Sequence, residues 1–305
     1  MALKDKIQFG MSLPHRSPEA IDMAAVRAVA TRAEALGFRD LWVTENTLDE
    51  AFCFDPVVIL TYAAAITSTI RLGASVVVLQ IHSPLMVAHQ WACLDYVSNG
   101  RAILGVGIGR DHHYRQFEVS PEGRVARFRE EVDVIRALWA DDTVSYQGRF
   151  YHLTNEPMHP KPVQKPLPIW MGVGHPNAVR RTAEIADGWM GSGGSRIADF
   201  AASVPILKTA LAEKGRDPAK FPISKRLFIA VDERPAVARA ELLRWFTEVY
   251  HNPPGTDLCG IHGTPEQVRE RLEEVVAMGA NHLLLNPVGR YPEQVEALAE
   301  VVGLK

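Results

Sequence analysis

Cysteine is scarce in this chain: Cys53, Cys93 and Cys259 are the only three in 305 residues, far apart and without CxxC spacing. That pattern excludes a disulfide framework and a cysteine-built zinc site, and it predicts reduced thiols in a cytoplasmic protein. Charge of one sign is also missing. The formal net charge is −3 with both signs interspersed, and there is no basic stripe of the kind nucleic acid requires. No segment approaches the roughly 18 uninterrupted apolar residues of a membrane span, and the N-terminus shows no signal-peptide pattern. Neither the HxxxH spacing of a helical metal site nor a GxSxG nucleophile elbow occurs, so metal ligation and serine acyl transfer are not expected. With nucleic acid and membrane set aside, the expected partner is a small-molecule substrate.

What is present is a large apolar fraction, 47% of residues, arranged in short buried runs that alternate with helical periodicity. Strands are predicted over residues 7–13, 40–43, 71–79, 101–109, 169–173, 189–192, 226–231 and 282–286. Helices fill the intervals. One is predicted to start at Ser17-Pro18-Glu19, where a hydroxyl precedes proline and an acid; another opens at the capping box Thr264-Pro265-Glu266-Gln267. Gly100, Gly188 and Gly279 precede strands and read as turns on the bottom face. Residues 143–152 break the alternation, with Gln147-Gly148-Arg149 between two short β runs, which suggests an inserted hairpin. Eight strands alternating with eight helices predict one (β/α)8 TIM barrel over residues 1–305.

On such a barrel the chemistry belongs at strand C-termini and the loops that follow. Gly105-Val106-Gly107-Ile108-Gly109 ends the fourth strand and leads into Arg110-Asp111-His112-His113. Its GxGxG spacing is not the GxGxxG of a dinucleotide fold. Gly172-Val173-Gly174-His175 lies directly before a helix at Pro176, and Gly191-Ser192-Gly193-Gly194 before another, so either could receive a phosphate at a helix N-terminus. Glu45 and Asn46 end the second strand and are candidate catalytic residues, as proton donors or substrate contacts, with no carboxylate partner for Glu45 visible in the sequence. His112 and His113 are candidate proton donors, because histidine titrates near neutrality. His15 and Arg110 are candidate substrate contacts. Trp42, Trp91, Trp139, Trp170 and Trp189 fall within predicted strands or helices and read as core.

The ordered motifs carry a further likeness. Arg71-Leu72-Gly73 leads to Ser75-Val76. Leu94-Asp95 precedes Ser98-Asn99-Gly100-Arg101 and the glycine run. Arg127, Glu131 and Leu138-Trp139 precede Gly148, and Pro160-Lys161-Pro162 with Gln164, Pro166, Pro168, Ile169 and Trp170 leads to Gly172. Ala186-Asp187-Gly188-Trp189 closes the set. Over about residues 5–195 the chain resembles the luciferase-like monooxygenase superfamily, and within it the branch that uses the deazaflavin coenzyme F420. The resemblance implies a homodimeric luciferase-like barrel with the cofactor at its C-terminal face. It implies a non-prolyl cis peptide at Ser75-Val76 supporting the cofactor ring, and contacts to ring, ribityl chain and phosphate from Gly107, Ile108, Gly109, Gly172, Val173, Gly174 and His175.

Two departures bound the likeness. Sugar-phosphate dehydrogenases of this branch carry Asp-His after the second strand, whereas Glu45-Asn46 stands here. Their acidic partner after the fourth-strand glycines falls near Arg110, a fixed cation; both differences argue against that substrate. The chain is also short for reduced-FMN monooxygenases, which favours the deazaflavin. The leading expectation is an oxidoreductase moving a hydride between coenzyme F420 and a small organic substrate. The alternatives are an FMN-dependent monooxygenase and a non-catalytic flavin-binding barrel.

Overall fold

Eight parallel strands close on themselves in the computed structural model, which describes residues 2–305. They are β1 (Gln8–Ser12), β2 (Asp40–Val43), β3 (Arg71–Ala74), β4 (Ala102–Gly107), β5 (Ile169–Gly172), β6 (Gly188–Gly191), β7 (Ile223–Val231) and β8 (His282–Pro287). Each pairs with its neighbour in the chain, β4 with β5 across the long connection (Ile169 opposite Leu104), and β8 returns to β1, Gln8 opposite His282. The predicted TIM barrel is therefore the observed one. The helices used below are α1 (Met23–Leu36), α2 (Pro56–Ile66), α3 (Pro84–Val97), α4 (Arg124–Ala140), α5 (Pro176–Ile185), α6 (Ile197–Glu213) and α7 (Pro235–Glu248). The hairpin insertion is Thr143–Gln147 paired with His152–Pro157. No helix among the described residues is long and apolar enough to cross a membrane.

Most of the core lies between the strands and the helices, where β-branched and leucine side chains of the strands meet the apolar helix faces. Inside the barrel a smaller cluster of Trp42, Ile103, Trp170, Met190 and Leu284 fills the lumen. The two indoles lie 5.1 Å apart, and all five tryptophans expected in the core are buried. The bulk of these indoles explains small residues on the neighbouring strands. A Cβ on Gly73 would come within 2.5 Å of Trp42, and one on Gly188 within 2.6 Å of Trp170. Gly188 is therefore a strand residue making room for an indole, which corrects its reading as a turn; Gly100 and Gly279 are turns with φ of 81° and 109°.

Below the tryptophans, His282 bonds Ser224 Oγ at 2.7 Å and Asp40 Oδ1 at 3.0 Å. This has the connectivity of a Ser-His-Asp array, but Ser224, His282 and Asp40 are 0%, 2% and 1% exposed, so the serine hydroxyl is buried. Its role is to satisfy buried polar groups where the barrel floor closes.

Two local expectations are corrected. The helix predicted from Ser17 starts at Met23, with the Asp22 side chain accepting the Ala24 N–H at 2.8 Å. Arg16–Ser17 instead pairs antiparallel with Phe52–Cys53 over the barrel mouth, because the Ser17 hydroxyl accepts Glu19 N–H in a local turn (3.2 Å) rather than capping a helix. The third strand also does not run unbroken to Leu79. It stops at Ala74, passes through a cis peptide at Ser75-Val76, and resumes as Val77–Val78 alongside β4. A short helix at Asp111–Gln116 and a further parallel strand at Gly260–Gly263 beside β7 were not expected from the sequence.

Candidate active site

A cleft of about 730 Å³ opens at the C-terminal mouth, and nearly every residue singled out from the sequence lines it. Glu45, Asn46, Ser75, Val76, Gly107, Ile108, Gly109, Arg110, His112, His113, Gly172, Val173, Gly174 and His175 are all on its wall. His15 is not among its lining residues; it is 3% exposed and hydrogen-bonded to Thr44, which is on the wall.

The bulge after β3 organises one side. Val76 packs against the ends of β4 and β5. A Cβ on Gly107 would lie 2.7 Å from Val76 Cγ2, and one on Gly172 would lie 2.4 Å from Val76 Cγ1. Gly105 meets the Ala74 carbonyl oxygen so closely that any side chain would collide with backbone. Gly109, at φ 78°, gives the same clearance to Val78. The glycine run thus admits the bulge as well as a ligand. Among the glycines lining the cleft, only Gly174 has open space where its Cβ would be. The result is a half-buried apolar surface of Val76, Ile108 and Val173 facing the cleft.

Glu45 holds that bulge from the other side. One carboxylate oxygen accepts the Val78 N–H at 2.6 Å, and the other accepts His82 Nε2–H at 2.6 Å. The missing partner of Glu45 is therefore a histidine after the bulge. Burial alone would lower the His82 pKa, but the hydrogen bond and charge of Glu45 outweigh it and raise the value.

Asn46 is oriented by a relay. His15 Nδ1–H donates to the Leu13 carbonyl at 2.7 Å, Thr44 donates to His15 Nε2 at 2.8 Å, and Thr44 Oγ1 accepts from Asn46 Nδ2 at 3.0 Å. These bonds suit a neutral imidazole. Burial, followed by the charge of Arg226, lowers the His15 pKa to about 3.

His112 and His113 sit on the short helix, rings 3.9 Å apart. The Arg110 N–H donates to His113 Nδ1 at 2.9 Å, which leaves Nε2 to carry the ring proton. Tyr114 donates to the Ile108 carbonyl at 2.6 Å and so ties this helix to the glycine run. Burial and then neighbouring charge lower the pKa of both histidines. The lowered values favour the neutral imidazole, in which the His113 Nε2–H remains a donor.

Both glycine-rich loops sit where helices begin. His175 caps α5, its Nδ1 accepting the Asn177 N–H at 3.3 Å. The loop before α6 is braced by buried Lys225, whose Nζ donates to the Ser192 and Ser195 carbonyls, the latter at 2.9 Å. Burial lowers the Lys225 pKa to about 7. The opposite wall carries Arg16, Arg226 and Tyr250, which the sequence reading did not select. The available signal was Lys225-Arg226 itself, two adjacent cations in a largely apolar strand that is buried throughout.

The model of the family described as luciferase-like monooxygenase matches residues 7–258. The chain belongs to that family. A coenzyme F420-dependent glucose-6-phosphate dehydrogenase of Kineococcus radiotolerans is 28% identical over 225 residues, covering 71% of this chain and 66% of that protein. The chain thus aligns with just under two thirds of that relative's length. Among solved structures, an F420-dependent secondary alcohol dehydrogenase bound to an F420-acetone adduct superposes with a TM-score of 0.86. The match has 20% identity and covers 98% of this chain and 99% of that one. The FMN-bound oxygenating component of 3,6-diketocamphane monooxygenase from Pseudomonas putida gives a TM-score of 0.75 at 14% identity, over 100% of this chain and 97% of that one. At these identities the two structures speak to the fold alone.

Proposed function

We propose that this protein is an oxidoreductase that binds coenzyme F420 in the barrel mouth and exchanges a hydride between it and a small organic substrate. The observation that carries the reading is the bulge at Ser75-Val76, pressed against side-chain-free ends of β4 and β5. It makes a flat apolar wall beside two helix N-termini, suited to a planar ring with a phosphate-bearing tail. The named F420-dependent relative supports the same choice of cofactor. Gly107, Ile108, Val173 and Val76 would hold the ring, and Gly174 with His175 at the start of α5 the phosphate. When bound there, the deazaflavin supplies the hydride chemistry.

The chain's own groups position and shield. Glu45 fixes the bulge, and Asn46, held by Thr44, offers a hydrogen-bonding amide to the substrate. His112 or His113 passes a proton at Nε2, and Arg110 closes the rim near Gly194. A homodimer fits the same reading: Val58, Met86, Tyr96 and Val97 are 65%, 56%, 62% and 60% exposed on the neighbouring helices α2 and α3, more apolar area than solvent favours.

Calorimetric titration with coenzyme F420 and, separately, FMN tests the cofactor. Micromolar or tighter binding of the deazaflavin with weak FMN binding is expected. The reverse preference would move the assignment to a flavin monooxygenase, with oxygen uptake beside a flavin reductase as the next assay. Tight binding without turnover on a broad substrate panel would mark a binding protein.

A further inference from the structure

Arg226 is an unusual residue to find where it is. It lies on β7, diametrically across the barrel from β3 and its bulge, and is 6% exposed with its remaining surface on the cleft. A buried guanidinium ordinarily has a carboxylate. Arg226 has none. Its Nε donates to Asn286 Oδ1 at 2.8 Å, and Asn286 is itself locked by donating Nδ2 to the Pro287 carbonyl at 3.0 Å. The guanidinium is stacked 4.8 Å from the Phe228 ring, with the Tyr250 phenol beside it. Among the described residues no carboxylate or carbonyl takes its two Nη nitrogens; their one polar side-chain neighbour besides Asn286 is the Tyr250 hydroxyl, a neutral group that leaves the charge uncompensated.

The surroundings add charge of the same sign. Arg16 shares this wall, 5.3 Å from the Tyr250 ring, and although its Nη2 pairs with Asp49, its Nε is buried without any partner. The other nearby acids are engaged or remote from this wall: Glu45 holds His82, and Glu50 is at the exposed rim with His251. His15, which would add a third cation, is neutral. The wall thus keeps a desolvated positive charge on the lining of the cleft, with the buried, unpartnered Arg16 Nε beside it.

We propose that Arg226, with Arg16 beside it, is the anchor for an oxyanion on the substrate, a carboxylate or a phosphate. This rests on the cofactor lying against the bulge. The substrate would then span the gap, its anionic end on the Arg226 fork and its reacting carbon toward the opposite wall. The same fork chemistry could serve the cofactor's own phosphate, and the experiment separates the two sources.

Inorganic phosphate is titrated into the protein by calorimetry, with chloride at matched ionic strength as control, for wild type, Arg226→Met and Arg226→Lys. Coenzyme F420 is titrated into the same three proteins. We expect phosphate to bind wild type both with and without saturating F420, to weaken about tenfold or more in Arg226→Met, and to weaken less in Arg226→Lys, which keeps the charge but loses the fork. F420 affinity is expected to stay within about twofold in both variants. Phosphate binding that equals the chloride control, or that is unchanged in both variants, overturns the proposal. So does phosphate bound only without F420 together with F420 affinity lost in the variants, since the anion would then be the cofactor's. If Arg226→Met does not fold, the Arg226→Lys comparison decides alone. Wild type that binds phosphate through Arg226 but does not bind F420 refutes the cofactor assignment and leaves the anion anchor standing.

Discussion

Two glycines two residues apart provide a sharp test of what the glycine-rich wall is for. Gly172 ends β5 and Gly174 lies in the loop that follows it into α5; neither has a positive φ, so alanine is allowed by the backbone at each. At Gly174 a Cβ meets nothing within 4 Å; at Gly172 it lands 2.4 Å from Val76 Cγ1. Restoring ordinary contact at Gly172 requires a shift of about 1 Å, with overpacking of this kind costing about 1–3 kcal/mol. Val76 has little freedom to make that shift. It is β-branched, its other γ-methyl is close to Gly107, and its backbone is pinned through the Val78 N–H to Glu45.

Replacing glycine with alanine also stabilises by about 0.4–1 kcal/mol through the unfolded chain. Gly174→Ala should therefore be neutral to slightly stabilising, and Gly172→Ala should lose about 1–2 kcal/mol. Urea unfolding curves of both variants measure this. The double variant assigns the cause: Val76→Ala removes both γ-methyls, so the cost of Gly172→Ala should shrink by about 1 kcal/mol in that background. Equal midpoints for the two single variants, or a cost that persists undiminished in the Val76→Ala background, would refute the account of Gly172 as clearance for the bulge. Coenzyme F420 affinity supplies the converse reading. Gly174→Ala, which leaves the fold alone, should weaken binding if the open space there receives the cofactor's phosphate.

Glu45→Gln should lower the His82 pKa from above 6.5 to or below it, as read by NMR titration, and destabilise the fold by about 2 kcal/mol. Because the folded-state value in wild type is raised, the pair's contribution is full below the unfolded pKa and fades as pH climbs through the folded one; this fading should vanish in the variant. His15 acts in the opposite direction. With its folded value near 3 and its unfolded value near 6.5, stability should fall by about 1.4 kcal/mol per pH unit on acidification between those limits, and His15→Phe should remove that slope. Substituting His112 or His113 with alanine should lower turnover by about 10²-fold if that residue passes the proton, with F420 affinity within a few-fold; unchanged turnover in both would remove them from the mechanism. Met86→Glu with Tyr96→Glu should convert a dimer to a monomer by light scattering, and a wild type that is already monomeric would overturn the pairing.

The barrel was legible because strand and helix periods alternate without a break, and because each strand run is short and apolar on both faces. The start of α1 was not. Ser17-Pro18-Glu19 has the composition of a helix cap, but pairing of Arg16–Ser17 with Phe52–Cys53 joins residues far apart in sequence, and that pairing moves the helix to Asp22. The site was legible on the side of β2 to β5, where glycines and titratable groups cluster in short motifs. It was obscure on the other side. Arg16, Arg226 and Tyr250 come from three separate stretches, and Tyr250 follows α7 with nothing local to mark it. His82 was equally hidden as the partner of Glu45, 37 positions away.

The two sides of the cleft also differ in kind, and the difference bears on how one barrel serves many reactions. The β3 to β5 side is overdetermined: Val76 touches two strands, Glu45 ties the bulge to His82, and Gly105, Gly107, Gly109 and Gly172 are each crowded by a neighbour. A substitution there disturbs several contacts at once, so that wall is suited to a constant partner. Arg226 is held by the Asn286 amide, the Tyr250 hydroxyl and a ring stack, all neutral side chains outside the strand ladder. Exchanging Arg226 for an apolar residue would leave the barrel's ladder intact and change only what the cleft attracts. Specificity should therefore be movable at residues 16, 226 and 250 while cofactor affinity holds, whereas changes at 76, 107 or 172 should cost stability and cofactor binding together.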